Sequence, residues 1–172
     1  MKITIKKLKT MNGHEGIAYS CDVYINGKNV GGAIQDGNGG DLLLEFYHEK
    51  GSPLRRLCDE AYKWAASLPD GVFTIGGAEH SFPMTLEGYI EDLVENHLKA
   101  KEDAKLEIEK RKKLMWGKPN SLQYWVSSWK KKTLAEVPLP VLQSQVDRIK
   151  RDMKEGEVFL NAEYLTSLGC KV

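Results

Sequence analysis

Polar and apolar residues alternate from the start of the chain. Ile3, Ile5 and Leu8 interleave with Lys2, Thr4 and Lys6, the period-two pattern of a half-buried strand. A second strand is predicted over residues 17–25, where Tyr19, Cys21, Val23 and Ile25 share one face. Asn26-Gly27 follows, a dipeptide suited to the positive φ angles of a type I′ hairpin turn. Shorter strands are expected over 30–34 and 42–47, so a four-strand antiparallel meander is the simplest topology.

The period then changes from two to 3.6. Ser52-Pro53 reads as a helix cap with proline in the first turn. Leu54, Leu57, Cys58, Ala61, Trp64 and Ala65 recur at three- and four-residue steps behind it. Residues 72–82 fit either an extra strand or an irregular loop. A longer helix is predicted from about Thr85, with Leu86, Ile90, Leu93, His97, Ala100 and Ala104 as its inner stripe, ended by Gly117-Lys118-Pro119. Charge dominates that helix from Lys99 to Lys113, with Glu107–Arg111 and Glu109–Lys113 at supportive spacing. Strand-like segments follow at 122–129 and 134–137. Pro138 and Pro140 then introduce a third helix with Leu142, Val146, Ile149 and Met153 on one face. Asn161 is placed to cap a final helical turn.

The pattern therefore predicts an α+β fold with an N-terminal antiparallel β-meander and packed helix, a long charged helix, and a C-terminal α/β element. Residues 1–83 would hold the sheet and its helix. Residues 84–172 would hold the rest, forming one compact unit with the first.

Composition narrows the class. The 172 residues are 41% hydrophobic and 28% charged, enough apolar material for a packed core beneath a charged surface. No apolar run approaches a membrane span, and the amino terminus lacks the apolar stretch of a signal peptide. Cys21, Cys58 and Cys170 are widely spaced and odd in number, which suits a reducing, cytoplasmic setting better than a disulfide framework. The expectation is a cytoplasmic protein with no membrane contact.

Candidate chemistry is sparse. The 36–40 loop offers Asp36 and Asn38 at the first and third positions of a calcium loop, but Gly40 and Asp41 stand where an acidic ligand and the glycine belong. No phosphate-binding loop, nucleophile elbow, zincin helix or kinase signature is present, so no cofactor or metal is expected. His14 and Glu15 in the 12–16 loop would form an imidazole–carboxylate pair if that loop met the glycine-rich one, as a small-ligand binder or enzyme requires. A solvated loop histidine is the simpler reading.

The net charge of +1 conceals a segregation. Between positions 110 and 132 stand Lys110, Arg111, Lys112, Lys113, Lys118, Lys130, Lys131 and Lys132, with no carboxylate among them. Trp116, Tyr124, Trp125 and Trp129 are interleaved. Cations beside aromatic rings suit single-stranded nucleic acid and equally an acidic protein surface. The plain alternative is a solvated helix end with tryptophans serving the core.

Gly13, Glu15, Gly16, Tyr19, Tyr24, Gly27-Lys28 and Asp36-Gly37-x-Gly39-Gly40 resemble a pattern found in small proteins of phages and prophages. The long charged helix and the closing Phe159-Leu160-Asn161 are similar in outline. The resemblance implies action in a host bacterial cytoplasm by binding a host protein or a protein–nucleic-acid complex, for example as an anti-defence inhibitor of anti-CRISPR type. It carries over no functional residues.

Overall fold

The first four strands, β1(Ile3–Asn12), β2(Ile17–Ile25), β3(Lys28–Gln35) and β4(Leu43–Phe46), form an antiparallel sheet in that order, in a computed structural model that describes residues 1–121 and 123–172. Asn26 and Gly27 both have positive φ, 50° and 81°, the geometry expected of their hairpin turn. Strand β1 contains a bulge between Lys6 and Lys9, where Lys7 takes φ 53°. The extra residue explains the pattern 3, 5, 8: it restores Leu8 to the face that packs on the core.

Helix α1(Pro53–Ala65) covers that face. Its first turn is capped by Ser52, whose hydroxyl accepts the Arg55 N–H at 3.2 Å. Small buried residues, Cys58, Ala61 and Ala65, let the helix approach the sheet closely, and Trp64 closes its margin edge-to-face with Tyr89 at 5.0 Å. The ambiguous stretch 72–82 is a hairpin, β5(Gly71–Ile75) and β6(Ala78–Phe82), turned by Gly76 and Gly77. Helix α2(Leu86–Lys112) buries Leu86, Ile90 and Val94. That four-residue row corrects the expected stripe. Leu93 of that stripe packs at the margin of the core, whereas His97, Ala100 and Ala104 are exposed and Val94 takes the inner place.

The chain divides into two compact units, Met1–Lys99 and Ala100–Val172, and the division falls inside α2. In the second unit the helix does not run to Gly117 as its composition predicts. It stops at Lys112, and Lys113–Gly117 becomes β7. Tertiary pairing overrides helix propensity here, because Leu114 and Met115 are buried between β8(Trp125–Ser128) and β9(Val158–Phe159), in the order β8-β7-β9. Position 122 of the predicted 122–129 strand lies outside the described residues.

The segment at 134–137 is a 3-10 turn, Leu134–Glu136, rather than a strand. Leu134 and Val137 both reach the core by three-residue spacing. Helix α3(Leu139–Asp152) presents Leu142, Val146 and Ile149 to Leu114, Phe159 and Leu165 of the same core. Short α4(Ala162–Ser167) follows Asn161, whose side chain caps a different element instead. Among the described residues, no helix is long and apolar enough to cross a membrane.

Candidate binding surface

The two loops at 12–16 and 36–40 do meet. The Glu15 N–H donates to the Gly37 carbonyl at 2.8 Å, and Gly13 approaches Gly37 so closely that a Cβ there would lie 2.6 Å from the same oxygen. The glycine-rich loop is braced from within: Asp36 Oδ1 accepts the Asn38 N–H at 2.9 Å, and the Gln35 amide donates to the Gly40 carbonyl at 2.8 Å. Gly37 and Gly39 supply φ of 74° and 77°. His14, Glu15, Asp36 and Asn38 are all exposed. Their hydrogen bonding is that of two turns held together. Among the described residues, no three of His, Cys, Asp and Glu gather as a metal site.

The cysteines are buried away from solvent. Burial pushes the thiols of Cys21, Cys58 and Cys170 up, which keeps them protonated and poorly nucleophilic at neutral pH.

Residues 110–132 fall into three groups. Lys110 and Lys113 are already engaged, Lys110 with Glu107 at 2.6 Å and Lys113 with Glu109. Contact with Lys113 holds the Glu109 carboxyl below the usual carboxylate range. Glu107 thus pairs one position short of the expected Arg111. Trp116 and Trp129 form the second group: both are half-buried and pack on the core of the second unit.

The third group is open to solvent. Arg111, Lys112, Lys118, Lys130, Lys131 and Lys132 are exposed. Trp129 anchors a tight turn in which its carbonyl accepts the Lys132 N–H at 3.2 Å, and Lys131 adopts φ 59° at the apex. The three lysines are displayed immediately after β8. The turn is closed on its far side by Glu136, whose carboxylate accepts both the N–H of Thr133 at 2.6 Å and its hydroxyl at 2.8 Å. Those bonds lower the Glu136 pKa.

Beside the lysines lie apolar side chains that the core does not use. Tyr124 is 46% exposed, Trp125 61% and Val126 50%. Tyr124 and Trp125 line an open depression of about 670 Å³ with Lys118 and Lys154 and one carboxylate, Glu157. Gly117 lets the loop fold back: a Cβ there would lie 3.2 Å from Gln123 O and Tyr124 Cα. The sequence interleaves Trp116, Tyr124, Trp125 and Trp129 with the cations alike, and it gave no reason to set Tyr124 and Trp125 apart or to include Lys154, which enters from the turn after α3. The exposed pair is Tyr124 and Trp125.

The architecture is thus an α+β fold whose second unit carries a basic, aromatic surface at one sheet edge. Comparison with protein-family models, curated proteins and solved structures finds no significant match to this chain.

Proposed function

We propose that this protein acts by binding, and that its partner is an acidic protein surface received at β8 and the turn after it. The observation that carries this reading is the exposure of Tyr124, Trp125 and Val126 within a segment that also displays six exposed cations, Arg111, Lys112, Lys118 and Lys130–Lys132, and contains no carboxylate. Aromatic side chains in an exposed cluster are typical anchors of protein interfaces, and surrounding charge steers the encounter. The resemblance of residues 13–40 to small phage proteins supports a host protein as the partner. An anti-defence inhibitor in a bacterial cytoplasm is the form of that role we propose.

Single-stranded nucleic acid is the second reading, favoured by the depression that Tyr124 and Trp125 share with Lys118 and Lys154 and opposed by the Glu157 carboxylate in the same lining. It ranks second because Lys110 and Lys113 already pair with glutamates, and Trp116 and Trp129 are committed to the core.

The test is fluorescence anisotropy with labelled poly-glutamate and labelled oligothymidylate over a salt series. Preference for poly-glutamate, lost on joint substitution Lys130→Glu, Lys131→Glu and Lys132→Glu, supports the first reading. Preference for oligothymidylate, with affinity falling steeply as salt rises, moves nucleic acid ahead. Failure of both probes to bind at low salt overturns the basic surface itself.

A further inference from the structure

Among the described residues, strand β8 lies at the end of its sheet, paired on one side with β7 only. Which of its backbone groups face outward follows from bonds on the far side of β7. The Met115 carbonyl accepts the Leu160 N–H at 2.8 Å, and the Met115 N–H donates to Asn161 Oδ1 at 3.3 Å. Met115 therefore addresses β9. In a strand, successive residues direct their backbone groups to opposite sides, so Leu114 and Trp116 address β8. Their partners in register are Ser127 and Trp125. The ladder to β7 thus runs through Ser127 and Trp125, while Val126 and Ser128 turn their N–H and C=O groups to the open edge. Both residues are exposed.

An edge of this kind is a template for another strand, and folded proteins commonly blunt such edges. Lysines are one common device, and here Lys130–Lys132 lie beyond one end of β8 and Lys118 in the loop before the other. They repel a second copy of the same edge, since each copy would bring its own lysines to the junction. The same lysines attract a strand of opposite charge.

We infer that the partner adds an extended acidic segment to β8, hydrogen bonded to Val126 and Ser128, with its carboxylates near Lys118 and Lys130–Lys132 and an apolar side chain against Trp125. This rests on the basic surface proposed above and specifies what occupies it. Main-chain pairing would give the affinity, and alternate side chains the selectivity.

The probes are labelled short peptides alternating Glu with Val, the same peptide N-methylated at alternate residues, its Lys–Val counterpart, and poly-glutamate of equal length. The Glu–Val peptide is expected to bind most tightly. N-methylation on the pairing edge is expected to weaken it roughly three- to tenfold by removing donors from the added strand. Val126→Pro removes an outward donor and spares the ladder to β7, so a similar loss is expected with the far-ultraviolet circular dichroism unchanged. The N-methylated peptide decides the matter if that variant fails to fold.

Equal affinity for methylated and unmethylated peptides, or for Glu–Val and Lys–Val peptides, overturns strand addition. If charge reversal at Lys130–Lys132 abolishes binding while N-methylation does nothing, strand addition fails and the basic surface stands. If charge reversal changes nothing, the underlying surface fails with it.

Discussion

The side-chain amide of Asn161 donates to the carbonyl oxygen of Lys110 at 2.7 Å, joining groups 51 residues apart in sequence. The same nitrogen donates to the Lys113 carbonyl at 2.8 Å, and Asn161 Oδ1 accepts the Met115 N–H. Carbonyls in the last turn of a helix have no helical partner, and here a distant, 4% exposed side chain satisfies one at the point where α2 becomes β7. Asn161→Ala should destabilise the second unit by about 3 kcal/mol, because buried groups left unpaired cost about 1–3 kcal/mol each. Asn161→Asp should not rescue it at neutral pH, since a carboxylate would face two carbonyl oxygens. Urea unfolding checks both, and a wild-type midpoint for the alanine variant would remove Asn161 from this role.

Acid should loosen the turn that displays the lysines. The Glu136 pKa is lowered by its bonds from the Thr133 backbone and then the Thr133 hydroxyl. A depressed carboxyl contributes stability above its ordinary range and loses it as pH falls through the lowered value. Amide exchange at Thr133, corrected for intrinsic rate, should therefore accelerate on acidification below the ordinary carboxylate range. In Glu136→Gln it should be fast throughout and flat with pH. Identical profiles for the two proteins would show that the bond does not hold the turn.

The meander, α1 and α3 were legible because their information is local. Period two, Asn26-Gly27 and Ser52-Pro53 each specify geometry within a few residues. The end of α2 was not, since Lys110–Lys113 continues a good helical composition and only pairing with β8 and β9 decides the switch. His97 was misplaced because its three- and four-residue spacings match the stripe, while the core follows the row 86, 90, 94. At the candidate surface, the basic segment was visible as a run of charge. Which tryptophan stays exposed depends on packing: Trp125 and Trp129 lie four apart on the same segment and meet opposite fates.

Gly31 should tolerate no side chain. A Cβ there would sit 2.0 Å from the Glu45 carbonyl oxygen across the β3–β4 ladder. Backbone cannot yield as a side chain can, so Gly31→Ala should cost about 1–3 kcal/mol through forced displacement of β4. Gly16→Ala is the control, with nothing within 4 Å of its added carbon. Thermal melting should separate the two variants, and equal midpoints would mean that β4 shifts freely.

Burial of the three thiols makes a chemical prediction. Their raised pKa values lower the thiolate fraction at any given pH, and the fold also blocks access. Iodoacetamide at mildly alkaline pH should leave Cys21, Cys58 and Cys170 unmodified in the native protein over a time that labels all three in urea. Rapid native labelling of one of them, located by peptide mass, would identify a locally opening segment around it.

Trp129 and Trp125 should separate stability from binding. Trp129 packs on the core and anchors the lysine turn, so Trp129→Ala should cost about 2–3 kcal/mol, less than for a fully enclosed tryptophan because it is half-buried. Its effect on binding should follow indirectly, through disorder of Lys130–Lys132. Trp125 is 61% exposed, and its truncation removes little buried area. Trp125→Ala should therefore leave the unfolding midpoint near wild type while weakening the acidic Glu–Val peptide several-fold, as loss of an interface anchor does. Measured together by urea unfolding and anisotropy, the two variants should fall on different axes. If Trp125→Ala is as destabilising as Trp129→Ala, the Trp125 ring serves the fold and the exposed anchor must be sought at Tyr124 or Val126.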